Sequence, residues 1–419
     1  DFIDIRFQSE PRYKKPIGIY WLQAAAAGAA REAGTAAAEI WPYRLPSFLG
    51  ALAAVLLTYW TGRAAIGRRD ALVAAALFGC CLTLSFEARI AKSDAALVAT
   101  VALAQGALFR LYLMPAGAPA RGLAALFWLG LGGSILIKGP VGPAVALLTA
   151  APVLYRDRER AWLKRLHWAW GLPLLLAITL PWFIAIGLAS HGEFFRSALG
   201  QDFAGKLQSG QEGHWAPPGF YLVTFWWTFW PSALFVSGAA VAALWKARRS
   251  RRVLFLLGWI VPFFLLIEAI PTKLPHYALP LYPAVALAAA YAAGRMPEKA
   301  IRWRWSLVPW VGLALIQGIA LVSALWLAEA SALPAVAALL AIFGCAASLT
   351  VIFAWYGYAA AALCGTVGSA LLFQITAFGV ALPAAEPMWP SERTAMAVRR
   401  LRSCGPGPAG FAGLASPSL

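Results

Sequence analysis

The sequence predicts an all-α polytopic membrane protein with about twelve transmembrane helices. Hydrophobic residues make up 61% of its 419 positions and charged residues only 13%, roughly half the charged share of a soluble domain. The apolar residues gather in runs of about 17 to 25, the length a helix needs to cross a bilayer. The net charge of +17 sits mostly in alternate loops, which is how lysines and arginines fix orientation in a membrane. These features exclude a cytosolic enzyme, a disordered chain and a disulfide scaffold.

In chain order the expected spans are 45–62, 71–88, 94–113, 122–137, 140–155, 169–189, 221–244, 253–270, 276–293, 305–327, 332–354 and 358–380. The first begins after Trp41-Pro42-Tyr43-Arg44-Leu45-Pro46, and only Lys138-Gly139-Pro140 divides the fourth from the fifth. The apolar stretch Pro16 to Ala30 is short for a span. It is read as an interfacial or re-entrant helix, because counting it would place the basic loops outside.

One set of loops carries Arg63, Arg68 and Arg69; Arg110 and Arg121; Arg156, Arg158, Arg160, Lys164 and Arg165; Lys246, Arg248, Arg249, Arg251 and Arg252; and Arg295, Lys299, Arg302 and Arg304. Only Asp70, Asp157, Glu159 and Glu298 offset them, so this set is assigned to the cytoplasm. The charge therefore reports topology before it reports a nucleic-acid partner, and none is expected. Residues 1–44, the turn before Asp94, the Lys138 turn, the 190–220 loop, Pro271 to Tyr277 and the tail from about 381 share the opposite face. Several polar loops on one face suggest a site.

Asp94 opens a span directly after Glu87-Ala88-Arg89-Ile90-Ala91-Lys92-Ser93. A carboxylate there stabilises a helix N-terminus and is also the kind of edge-of-membrane acid kept for a partner or a reaction. Arg89 and Lys92 are the cations expected to hold it ionised. Arg12, Tyr13, Lys14 and Lys15 precede Pro16, and a lysine followed closely by proline recurs at Lys138 and Lys273. Cations on the outer face escape the topological explanation, so they point to an anion, with snorkelling at the headgroup layer as the plain alternative.

The 190–220 loop mixes His191, Glu193, Phe194, Phe195, Arg196, Gln201, Asp202, Lys206, Glu212, His214 and Trp215, a composition suited to carbohydrate or headgroup contact. His214 beside Glu212 is where a divalent metal would be considered; a loop histidine is more often structural. Trp226, Trp227 and Trp230 are assigned to the interfacial aromatic belt. Cys80, Cys81, Cys345, Cys364 and Cys404 show no metal-ligand spacing and read as packing residues. No phosphate-binding GxxxxGK[ST], GxGxxG or HExxH pattern is present. Chemistry outside the membrane has no nucleotide-activated substrate, which leaves a lipid-linked phosphate donor.

Six motifs in order carry a family resemblance: Arg12-Tyr13-Lys14-Lys15-Pro16-Ile17-Gly18-Ile19-Tyr20-Trp21, Arg44-Leu45-Pro46-Ser47, Ala88-Arg89-Ile90-Ala91-Lys92-Ser93-Asp94, Lys138-Gly139-Pro140-Val141-Gly142, His214-Trp215-Ala216-Pro217 and Lys273-Leu274-Pro275-His276-Tyr277-Ala278-Leu279-Pro280. Over nearly its whole length the chain resembles glycosyltransferase family 39, in the bacterial branch that includes the lipid A aminoarabinose transferase and is related to protein O-mannosyltransferases.

The resemblance implies a GT-C fold and inverting transfer of a sugar from a polyprenyl-phosphate donor to a lipid or other envelope acceptor, at the periplasmic face of the inner membrane. It makes Asp94 the second acid of the family and the catalytic candidate in this chain. Lys15 becomes the lysine that meets the lipid phosphate, with Arg12, Tyr13, Lys138, His214, Lys273 and Tyr277 as substrate-facing residues. The family's principal acid is expected after a first span upstream of residue 1. Where relatives often carry Glu before Lys-Pro, this chain has Lys14, so no cofactor is expected.

The implied domains are an extracytoplasmic loop with interfacial helices at 1–44, a transmembrane domain at 45–380 and the start of a C-terminal periplasmic domain at 381–419. A transporter or flippase of lipid-linked sugars shares this composition, but the chain shows neither a clear inverted repeat nor mid-membrane charges. A non-catalytic envelope-assembly subunit is the third reading.

Overall fold

A computed structural model describes residues 2–7, 10–35, 39–115, 117–157, 160–198, 214–236, 238–295, 304–327 and 331–385. The chain is an all-α membrane protein. The β structure among the described residues is a two-stranded antiparallel ribbon, β1 (Arg6–Phe7) with β2 (Glu10–Pro11), and an isolated bridge between Trp215 and Thr272.

The helices are α1 (Gly18–Glu32), α2 (Trp41–Ala65), α3 (Arg68–Gly79), α4 (Leu82–Glu87), α5 (Asp94–Leu113), α6 (Arg121–Lys138), α7 (Val141–Arg156), α8 (Trp168–Ala189), α9 (Phe220–Thr228), α10 (Gly238–Lys246), α11 (Arg251–Ala269), α12 (Tyr282–Ala293), α13 (Arg304–Leu327), α14 (Leu333–Tyr356) and α15 (Ala359–Gln374). A π-helical stretch, Ile375–Ala381, continues α15.

Among the described residues, eight helical stretches are long and apolar enough to cross a membrane: α2, α5, α6, α8, α11, α13, α14 and α15 with its extension. The count of twelve spans is therefore not supported. Three of the remaining segments are broken. The 71–88 run turns at Cys80-Cys81, the 221–244 run at Phe229–Val236, and 276–293 begins as a 3₁₀ helix, Pro275–Leu281. The fourth, α7, is a continuous apolar helix of 16 residues. Apolar content alone does not register a break in the backbone ladder, which is why these segments look like full spans in sequence. The segment expected to lie at the interface is helical, as α1.

Burial separates the centre from the rim. In α5, 72% of the spanning window is buried within the protein, against 17% in α8, α13 and α14, which present their apolar faces outward. Helices in lipid gain little from hydrophobicity when they meet each other, so close packing must hold them together. Small residues provide it at α5. A Cβ on Gly50 of α2 would lie 2.7 Å from the Ala96 Cα, so only glycine permits this approach. Gln105 donates to Thr149 Oγ1 at 2.8 Å, tying α5 to α7, and Phe109 stacks on Phe255 of α11 at 4.3 Å.

The described residues of the loops assigned to the cytoplasm from their charge share one end of the bundle and pair within it. Asp157 accepts from the Tyr112 hydroxyl at 2.7 Å and faces Arg251 at 3.1 Å. Arg165 donates to the carbonyls of Leu111 and Met114, and Arg295 meets Asp70 at 3.5 Å. One aromatic residue departs from expectation. Trp230 is not in an exposed belt; it is 1% exposed, stacks on Trp310, and its indole N–H donates to the Trp310 carbonyl. The two indoles exchange main-chain partners, since Trp310 in turn donates to Pro231 O at the break in this segment. Trp227 is exposed as expected, Cys80 and Cys81 are buried, and Cys345 and Cys364 are exposed.

Replacing Gly50 by Val must push α2 away from α5. We expect a loss of about 1–3 kcal/mol, read as a lowered midpoint of thermal unfolding in detergent, while Gly28→Ala, in open space on α1, leaves it unchanged or raised.

Candidate active site

At the end of the bundle opposite the basic loops, residues distant in sequence converge around the start of α5. Asp94 is 4% exposed. Its Oδ1 accepts from the Lys138 ammonium in a short contact. Lys138 is the last residue of α6, so the α5 N-terminus and the α6 C-terminus meet head to tail, with a carboxylate and an ammonium at the ends whose helix dipoles favour them. Lys15 donates to Ser93 Oγ at 3.2 Å, which brings the stretch before α1 to the same place. Gly18 makes that approach possible: a Cβ there would sit 2.7 Å from the Leu136 carbonyl of α6. Ser47 of α2 donates to Lys92 O at 2.8 Å and pins the turn between α4 and α5.

The 3₁₀ helix at Pro275–Leu281 closes the other side. Lys138 lies 5.1 Å from the centre of the Tyr277 ring, within cation–π range. His276 Nε2 is 3.8 Å from Asp94 Oδ1, and its Nδ1 is 3.7 Å from Glu87 Oε1. Lys92 is 3.9 Å from the same Glu87 oxygen. Burial pushes the Glu87 carboxyl up to about 7; Asp94 adds to the rise, and Lys92, Lys138 and Lys15 oppose it. Burial also pushes His276 down to about 4, against the pull of Asp94.

Four of the residues singled out in sequence are thus brought together: Lys15, Asp94, Lys138 and Tyr277. The expectation for Asp94's partners needs correction, because Arg89 and Lys92 do not hold it. Arg89 donates to Ser85 O at 2.6 Å and stacks 4.5 Å over Phe378 in the π-helical stretch, while Lys92 faces Glu87. Sequence neighbours in a turn point in different directions, and the cation that reaches Asp94 comes from another helix.

The other candidates lie elsewhere. Tyr13 is buried; its hydroxyl donates to Asp4 at 3.0 Å and its ring meets Phe194 edge-on in an apolar cluster with Trp182 and Ile186. Arg12 is partly exposed, and its backbone N–H donates to Ile5 O. Lys273 is buried with its ammonium turned to the carbonyls of Glu268 and Ile270, where it caps the end of α11. His214 is exposed, and its carbonyl accepts from the Lys273 N–H at 2.9 Å. Glu212, Gln201, Asp202, Lys206 and Cys404 lie outside the described residues, as does the tail from 386. Among the described residues no group of three or more His, Cys, Asp or Glu is placed to hold a metal ion.

Glu268, Glu87 and His276 were not singled out as site residues in the sequence. Glu268, nearly buried, accepts from the backbone N–H groups of Gly219, Tyr221 and Leu222 at 2.9 to 3.2 Å and so caps α9 from α11. Its signal was an acid at the end of an apolar run. The same signal marks Glu87, seven positions before Asp94.

The fold is that of a polytopic membrane protein of the GT-C type. Residues 14–184 match the family model for dolichyl-phosphate-mannose-protein mannosyltransferase. The chain is 29% identical over 338 residues to the undecaprenyl phosphate-alpha-4-amino-4-deoxy-L-arabinose arabinosyl transferase of Edwardsiella ictaluri, covering 78% of this chain and 58% of the relative. It is 25% identical over 304 residues to the protein of the same name from Pseudomonas aeruginosa, covering 70% of this chain and 52% of the relative. The chain therefore spans a little over half the length of these curated relatives.

In structure it superimposes on ArnT from Cupriavidus metallidurans, solved bound to undecaprenyl phosphate, with a TM-score of 0.70 and 22% identity, covering 90% of this chain and 70% of that one. That likeness establishes the shared GT-C fold. Together the comparisons bear out the resemblance to glycosyltransferase family 39 and its aminoarabinose-transferase branch.

The buried Asp94–Lys138 pair sets a stability test. Removing either partner leaves an uncompensated charge and is expected to cost about 3–5 kcal/mol. The double variant Asp94→Asn, Lys138→Met is expected to lose less than the two single losses combined, measured by thermal unfolding of the purified protein.

Proposed function

We propose that the chain is the membrane-embedded part of a glycosyltransferase that moves a sugar from a polyprenyl-phosphate donor to a lipid or other envelope acceptor, on the periplasmic face of the inner membrane. The observation that carries this reading is the convergence of Lys15, Asp94 and Lys138 at the end of the bundle opposite the basic loops. The relatives' names, which specify an undecaprenyl phosphate-linked sugar, support the same donor class.

Orientation follows from charge. Arginine-rich loops stay in the cytoplasm, so the Asp94 end faces the periplasm. Residues 1–44 then form an outer loop and 45–380 the transmembrane domain, whose last helical stretch runs on to Ala384.

In such a transfer the bond between the sugar's anomeric carbon and the phosphate oxygen breaks, and the phosphate leaves with an additional negative charge. Lys15, partly exposed beside Ser93, and Lys138, held by Asp94, are placed to neutralise that charge as it grows. Asp94 acts on this site by aiming Lys138. Tyr277 offers a ring face beside the same ammonium, where a sugar can stack. The acceptor's proton passes to a carboxylate base as the new bond to the anomeric carbon forms.

A transporter of lipid-linked sugars gains no support from the geometry. Among the described residues the buried charged side chains Glu87, Asp94, Glu268 and Lys273 all lie at the ends of helices or beyond them, not at mid-span.

In the full-length protein, Lys15→Ala and Asp94→Ala are each expected to lower transfer by about 10²–10³ without loss of membrane insertion. Mass spectrometry of lipid A and envelope glycans, with a polyprenyl-phosphate sugar transfer assay, reads the result. Wild-type transfer in both variants would sink the assignment.

A further inference from the structure

His276 touches two carboxylates through opposite edges of its ring: Nδ1 faces Glu87 Oε1 at 3.7 Å and Nε2 faces Asp94 Oδ1 at 3.8 Å. One metal ion cannot engage both nitrogens, so the imidazole is a bridge and not half of a chelate. Each contact exceeds a formed hydrogen bond by about half an ångström to an ångström, a gap that a small side-chain movement closes. Glu87 is 2% exposed, and its second oxygen, Oε2, is buried without a hydrogen-bond partner. An oxygen in that position is tolerated in a neutral carboxyl and costly in a carboxylate.

We propose that Glu87 is a positioning residue whose protonation selects the tautomer of His276 and thereby decides whether the imidazole holds Asp94. With Glu87 neutral, its O–H donates to Nδ1, the ring proton sits on Nε2, and Nε2–H donates to Asp94 beside Lys138. With Glu87 ionised, the carboxylate accepts from Nδ1–H, and the bare Nε2 lone pair turns on the Asp94 carboxylate and repels it. One proton leaves the unit in this change. The imidazole keeps one proton throughout and moves it from Nε2 to Nδ1.

The surroundings set where the change falls. Lys92 from the same turn, Lys138 from α6 and Lys15 from the stretch before α1 favour ionised Glu87, while Asp94 from α5 opposes it. Tyr277 packs edge-on against the imidazole, with ring centres 5.1 Å apart. Burial outweighs the lysines and holds Glu87 near neutrality, and it keeps His276 from charging in that range. Below the transition the cation cluster carries one negative charge fewer, so it binds an anion more tightly. The bearing on transfer rests on the anion-site reading above; the tautomer does not.

Histidine labelled at its ring nitrogens in the full-length protein gives a readout independent of activity. The chain has four histidines, and His276→Asn assigns the relevant signal. Between about pH 6 and about pH 8 the wild-type signal is expected to pass from the Nε2–H to the Nδ1–H tautomer. In Glu87→Gln the amide N–H donates to Nδ1 at both values, so the Nε2–H form persists; Glu87→Asp, which restores a titrating carboxyl, recovers the change. A wild-type tautomer that ignores pH, or a Glu87→Gln protein that switches like wild type, overturns the proposal.

Affinity for a polyprenyl phosphodiester, whose own charge is constant over this range, is expected to fall about tenfold from pH ~6 to pH ~8 in wild type and to stay level in Glu87→Gln. An equal loss at both pH values in Glu87→Gln marks a merely structural role and overturns the proposal. A wild-type protein that binds no phosphodiester overturns the anion-site reading instead, with the tautomer result standing.

Discussion

The ion pair between Asp94 and Lys138 is the constraint around which this end of the molecule is organised. A carboxylate that is 4% exposed at a membrane boundary is tolerable only with a cation against it. Meeting that need fixes the register of α5 against α6, because the pair sits at the first residue of one helix and the last of the other. The turn holding Ser93 is then in reach of Lys15, and the turn holding Tyr277 is in reach of Lys138. A site that gathers cations on one acid follows from a requirement that is first of all structural.

That register has to be held by packing, since the surrounding lipid is as apolar as the helices. Gly50 and Gly18 provide the close approaches that seat α2 on α5 and the start of α1 on α6. Polar locks complete the seat where backbone would otherwise shift. Ser47 fixes the turn before α5, and Gln105 fixes its middle.

A second device, independent of the first, orders the stretch that leads from His214 into α9. Glu268 caps α9, Lys273 caps α11, and the two side chains lie 3.9 Å apart. Both motif residues of this region, His214 and Lys273, are joined through main chain at 2.9 Å. Their pairing explains why the two stretches share a face. It also directs the lysine's charge into the protein, away from the Asp94 cluster, so that Lys273 serves the scaffold on which Tyr277 and His276 are presented.

The amino-acid sequence by itself determined the class of environment, the order of the apolar segments and the division of loops into two ends, because hydrophobicity and charge are properties of residues and survive without coordinates. It also marked Asp94, by an acid at the start of a span, and Lys15, Lys138 and Tyr277, by residue type and a nearby proline. It did not distinguish a continuous helix from one broken at Cys80-Cys81 or at Phe229–Val236, since both are equally apolar. Nor did it show which cation meets which acid. Arg89 and Lys92 were nearest to Asp94 along the chain, but a turn sends neighbouring side chains apart, and only the packing of α6 on α5 delivers Lys138. Glu87 carried the signal of an acid at the end of an apolar run, but its character, like that of His276, comes from burial against each other and Asp94, which only the tertiary structure decides.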